Sequence, residues 1–69
     1  MKKQTYLVVT GYGYPCFQST TGFVSTEVKD AWTTDYFTAA QRVADGLNAA
    51  RPDEWAPEYR VEMASEFAV

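Results

Sequence analysis

The sequence has no histidine, a single cysteine, and no apolar run longer than the four residues 6–9, YLVV. Each absence excludes a class of function. Without histidine, neither a serine nor a cysteine nucleophile has an imidazole base to activate it, and a thiol without a base is a weak catalyst at neutral pH. Cys16 is therefore expected to be a small, partly buried apolar residue. One cysteine and no histidine cannot complete a tetrahedral zinc site. A lone cysteine also excludes an intramolecular disulfide, which suits a reducing cytoplasm. The short apolar runs leave neither a signal-peptide core nor a membrane span. The expectation is a cytoplasmic protein, non-enzymatic, with no cofactor.

Basic residues are scarce as well. Six Lys and Arg stand against nine Asp and Glu, a net charge of −3. Nonspecific nucleic-acid affinity rests on clustered positive charge, and Lys2 and Lys3 are the only adjacent basic pair. Direct nucleic-acid binding is therefore disfavoured, and a basic partner surface is favoured.

What the chain does have is aromatic weight: eleven rings in 69 residues. A chain this short forms one domain, residues 1–69, and buries only about 60% of the surface its unfolded form exposes. Some of those rings must stay exposed.

Residues 4–10, QTYLVVT, are β-branched and aromatic, with apolar groups on both faces, the pattern of a central strand. Residues 22–28, GFVSTEV, alternate more weakly and read as a second strand antiparallel to the first, with Val24, Thr26 and Val28 on one face. Residues 16–20 are candidates for a short strand within the connection, which would make a meander. The helix is expected over residues 38–50. Thr38 and Gln41 have capping-box spacing, Ala40, Val43, Ala44 and Leu47 form one apolar stripe, and Pro52 stops it. Gly46 in its interior suggests close packing on the sheet. Residues 57–67 fit either a strand or a helix. As a strand, Tyr59, Val61, Met63 and Phe67 share a face. As a helix, Pro57 would interrupt the first turn and Glu54, Glu58, Glu62 and Glu66 would repel along one side, so the strand is preferred.

These elements give an α+β, two-layer ββαβ fold: a three-stranded antiparallel sheet covered on one face by a single helix. The last strand runs parallel to the second, with both flanking the first. Nothing in the sequence covers the other sheet face, and some of the aromatic residues are expected there.

The glycine loop at residues 10–22, TGYGYPCFQSTTG, resembles a nucleotide-binding fingerprint only at its start. Cys16 stands where G-x-G-x-x-G needs its third glycine, and no lysine follows at Walker spacing. It reads instead as a hairpin tip carrying Tyr12, Tyr14 and Phe17, rings suited to anchoring a protein interface. Glu27, Asp30 and Asp35 form an acidic grouping around Trp32 without the spacing of a metal loop. The candidate interface residues are accordingly Tyr12, Tyr14, Phe17 and Trp32 as anchors, with Asp30 and Asp35 as a charged rim. Trp55 is a weaker candidate, because it could cap the core after the helix.

The order and style of YLVVTGYGY, GFVSTEV, AWTTDYFTAAQRVADGLN and YRVEM resemble the small acidic proteins encoded by bacteriophages and prophages. Inhibitors of bacterial RNA polymerase and anti-CRISPR proteins are among them. The tract at residues 31–48 carries most of the likeness. The resemblance implies a compact inhibitor or adaptor that occupies the surface of a host nucleic-acid-handling complex. The alternative from another class is a homo-oligomeric structural module, a homodimer formed by edge pairing or by the uncovered sheet face; a nucleic-acid-binding protein is a third.

Overall fold

The computed structural model describes residues 4–11 and 15–67. The fold is α+β, with an antiparallel sheet and one long helix, but the sheet has five strands in place of the expected three. In chain order they are β1 (Tyr6–Thr10), β2 (Cys16–Gln18), β3 (Val24–Ser25) and β4 (Thr33–Thr34), then the helix α1 (Phe37–Ala49) and β5 (Arg60–Met63).

β1 is the central strand. Its edges are shared out by register. β5 runs along one edge, pairing Met63 with Tyr6 and Arg60 with Val9. On the other edge β2 pairs Phe17 with Val9, and β4 pairs Thr34 with Tyr6, so these two short strands occupy opposite ends of it. β3 pairs only with β2. The meander through residues 16–18 is therefore real, and β2 takes the place next to β1 that residues 22–28 were expected to fill. The last strand pairs antiparallel with the first as expected, but the strand within residues 22–28 runs parallel to β1 and not antiparallel to it. β5 is antiparallel to β1 and runs in the same sense as β2 and β4, opposite to β3.

The first hairpin continues into a tight turn. The Gly22 N–H donates to the Ser19 carbonyl at 3.2 Å, with Gly22 at φ 93°, a conformation that favours glycine. The Ser19 hydroxyl binds both Thr21 Oγ1 and the Phe23 carbonyl. β3 is only two residues long because Ser25 ends it: its Oγ accepts the Glu27 N–H at 3.1 Å and donates to Asp30 at 3.2 Å. Such local side-chain bonds compete with a strand ladder. The chain then enters a 3-10 turn, Val28–Asp30, which turns Val28 toward the core.

Period-two alternation splits β1 between two faces. Leu7, Val8 and Val9 are all fully buried. Leu7 and Val9 join Phe17 on one face, where Val28, Ala31, Ala64 and Phe67 pack against them. The face expected to lie open is thus covered, by two segments with no apolar periodicity: the first 3-10 turn and a second at Ala64–Glu66. Two aromatic rings do lie there, Phe17 and Phe67, edge to face with centroids 5.0 Å apart. The other face carries Tyr6 and Val8 and receives α1, whose buried residues are Ala40 and Ala44. Small side chains at i and i+4 let the helix lie close to the sheet.

The helix starts two residues earlier than its capping-box signature indicates. Tyr36 is the N-cap and makes no side-chain cap bond. The Thr34 hydroxyl accepts the Tyr36 N–H at 3.2 Å, while Gln41 donates to Asp45 at 2.9 Å. The cause is Phe37, three residues before Ala40 on the same stripe, whose ring stacks edgewise on Tyr6 and draws its backbone into the first turn. β5 is shorter than the alternation over residues 57–67 implies. After Met63 the Ala64 N–H donates to the Thr5 carbonyl at 2.7 Å and the chain bends. That bend carries Phe67 to the face opposite Val61 and Met63.

Gly46 does not serve close packing. It is exposed, and a methyl group at its position would meet nothing within 4 Å. Gly46→Ala is therefore expected to raise stability by about 0.5–1 kcal/mol. For a domain of this size that is a rise in melting temperature of roughly 2–8 °C, read by circular dichroism.

Candidate interaction surface

The sequence-derived candidates do not assemble into one surface. Tyr12 and Tyr14 lie outside the described residues. Phe17 is a core residue, 3% exposed, and has no surface to offer a partner. It lost the anchor role because β2 pairs directly with β1, which turns its ring inward against Leu7, Val9 and Phe67. Trp32 is half-buried, and its backbone N–H donates to the Gln18 carbonyl at 2.8 Å. Asp30 is exposed beside a cleft of about 430 Å³ lined by Ser19, Thr20, Thr21 and Lys29. Ser19, Thr21 and Ser25 there already bond to one another, to backbone or to Asp30, so their hydroxyls hold the hairpin and turn together. Asp35 is exposed at the junction of β4 and α1.

A different set of apolar side chains reaches solvent. Trp55 is 83% exposed, Phe23 79%, Tyr36 72% and Phe37 51%. Trp55 caps no core. It projects from the loop after α1, where Asp53 Oδ1 accepts the N–H groups of Trp55 and Ala56 at 2.9 Å each. Phe23 follows the turn between β2 and β3. These two rings sit on separate loops.

Tyr36 and Phe37 have neighbours. Phe37, in the first turn of α1, packs edge to face on Tyr6 of β1, with centroids 5.5 Å apart and an interplanar angle of 79°. Tyr6 is the cross-strand partner of Met63 on β5, so the two side chains leave the sheet on the same face. Met63 is itself exposed. Tyr36 adjoins this group at the helix N-cap, directly after Asp35. Tyr6, Phe37 and Met63 are thus neighbours held by two strands and the first turn of the helix, and the exposed Tyr36 precedes Phe37 in the chain. Phe37 rests one edge on Tyr6 and leaves about half of its surface to solvent. The signal was present in the sequence: Phe37 continues the Ala40–Val43–Ala44–Leu47 spacing backwards. The capping-box spacing of Thr38 and Gln41 masks it, because it points to a start after Phe37.

Among the described residues, no three Cys, Asp or Glu side chains converge as a metal site would require, and no helix is long and apolar enough to cross a membrane. One exposed ion pair is present there, Arg60 Nε to Glu62 Oε1 at 3.1 Å. Pairs of that kind contribute little to stability, but on β5, which bonds to the sheet along one edge only, they discourage edge-to-edge pairing. The chain matches no protein-family model, no curated protein and no solved structure.

Proposed function

We propose that this protein is a non-enzymatic binding module that engages another protein through Tyr6, Tyr36, Phe37 and Met63. One observation carries the reading: the half-exposed Phe37 ring of α1 rests edge to face on Tyr6 of β1, with the exposed Met63 of β5 paired to Tyr6 and the exposed Tyr36 one residue before Phe37. Tyrosine and other large rings dominate the binding energy of protein interfaces. Held on regular elements, they lose little conformational freedom on binding. Asp35 beside the patch, and the net charge of −3, suit a partner whose contact surface is basic; that charge would raise the association rate and make it salt-sensitive.

A basic surface of that kind belongs to complexes that handle nucleic acid. We propose that the setting is the cytoplasm of a bacterial host, with the protein acting as an inhibitor or adaptor of phage or mobile-element origin. Self-association through the second sheet face has less to support it, since Val28, Ala31, Ala64 and Phe67 cover that face.

A photo-crosslinking phenylalanine analogue at position 36 tests the patch in living bacteria. The expected product is one predominant adduct with a host protein. An adduct with a second copy of the chain would assign the patch to a homodimer. Crosslinking from position 55 and none from position 36 would place the interface on the loop after α1.

A further inference from the structure

At the opposite end of α1 from the aromatic patch lies a groove of about 370 Å³. Leu47 and Ala50 of the helix end form one wall, Val24 of β3 and Cys16 of β2 another, and Pro57 and Tyr59 of the following loop a third. Its volume lies at the lower end of the range for small-molecule sites, roughly 300–1,000 Å³. Among the described residues the lining is mostly apolar, with one charged side chain, Arg51.

Arg51 is unusual in this chain. It is half-buried, and among the described residues no carboxylate lines the groove with it, although acids outnumber bases nine to six. A guanidinium has five N–H donors. Among the described residues the Arg51 guanidinium makes one hydrogen bond, from Nη1 to the Ala56 carbonyl at 2.8 Å, and its buried Nε has no partner. Thr10 lines the same groove, is 6% exposed, and its hydroxyl also lacks a partner. Both atoms are shielded from solvent behind the groove's lining, and two unpartnered polar atoms so close to one groove are a rare arrangement in a folded protein, where nearly all such groups are bonded.

The walls are fixed in advance. Asn48 grips the backbone of Tyr59 from both sides, donating to its carbonyl at 2.9 Å and accepting its N–H at 2.7 Å. Asp53 holds the N–H groups of Trp55 and Ala56, and Arg51 closes the loop onto Ala56.

We infer that this groove binds a small organic carboxylate, its carboxyl group paired with the Arg51 guanidinium and its apolar body against Leu47, Val24, Pro57 and Tyr59. A monoanion matches the single cation. A dianionic phosphate would leave one charge uncompensated between apolar walls, which is unfavourable. Arginine and carboxylate form the strong, charge-assisted class of hydrogen bond.

The test is an amide-shift NMR titration of the native full chain with two probes of equal length, octanoate and 1-octanol. Octanoate is expected to shift the amides of Leu47, Ala50, Arg51, Ala56 and Tyr59 saturably, with an affinity at least about tenfold above that of the alcohol. Arg51→Gln is expected to make the two probes equal. Equal affinities in the native chain, shifts centred elsewhere, or no saturable shift would each overturn the inference. The comparison is made on the native chain, so it stays decisive even where Arg51→Gln fails to fold. Tyr36 and Phe37 report separately in the same spectra, so the outcome bears on this groove and leaves the aromatic patch to its own test.

Discussion

Phe17→Ala is expected to unfold much of the population at room temperature. Truncating a buried phenylalanine costs about 3–5 kcal/mol. A domain of 69 residues has roughly 3–10 kcal/mol of total stability at about 0.05–0.15 kcal/mol per residue. Phe17 is the largest side chain among the buried residues and the one on which the second face of the sheet is assembled. Its ring meets Phe67 at 81°, and Leu7 and Val9 flank it. The cavity left by alanine could not be filled from the short turns above it without moving them. Urea unfolding followed by far-ultraviolet circular dichroism reads the effect directly, as a large fall in midpoint. A variant with the native midpoint and lost partner binding would return Phe17 to the surface and overturn the packing described for β2.

The second large effect concerns binding. Replacing Tyr36 and Phe37 together by alanine is expected to weaken partner affinity by roughly thirtyfold or more, the equivalent of about 2 kcal/mol for interface hot spots. The cost to folding is expected to be much smaller. Tyr36 is 72% exposed and makes no side-chain cap bond. Phe37 loses its edge contact with Tyr6, worth about 0.5–1.5 kcal/mol. Trp55→Ala, the control, removes a more exposed ring from an isolated position and is expected to leave affinity within about twofold. Calorimetric titration of the three proteins against one partner separates these outcomes. Loss of binding in proportion to loss of stability would mean that the double variant had merely unfolded.

The parts of the fold legible in the sequence were those with a repeating pattern. Residues 4–10 announced a central strand because both faces are apolar, and Leu7, Val8 and Val9 are buried as that requires. Ala40, Val43, Ala44 and Leu47 announced the helix face by their 3.6-residue spacing, and Pro52 its end. Illegible parts were too short to repeat. β3 and β4 have two residues each, and two residues cannot show alternation. The cover over the second sheet face comes from two 3-10 turns, where Val28, Ala31, Ala64 and Phe67 are placed by turn geometry and not by period.

The candidate site was harder to read for a related reason. Aromatic identity says that a ring is costly to expose, but not which rings the sheet will cover. Phe17 and Phe37 look alike in the sequence, each beside a hydroxylic or polar residue. Direct pairing of β2 with β1 buries the first, whereas the second, in the first turn of the helix, meets Tyr6 edge on and stays half in solvent. Register settles both, and register over three residues is set by tertiary packing. The glycine-flanked tract drew attention to Tyr12 and Tyr14, whereas the patch around Tyr36 lies where the strand-to-helix junction meets the start of β1. The Arg51 groove had no signature at all, since its lining comes from β1, β2, β3, the helix end and the loop after it.

The most direct test of the binding-module account is a paired capture from nuclease-treated bacterial lysate, with the native chain and the Tyr36→Ala, Phe37→Ala chain as baits, read by mass spectrometry. The account predicts one host complex at near-equal stoichiometry on the native bait and its loss from the double variant. Equal capture by both baits, capture abolished by nuclease, or recovery of the chain alone would contradict it.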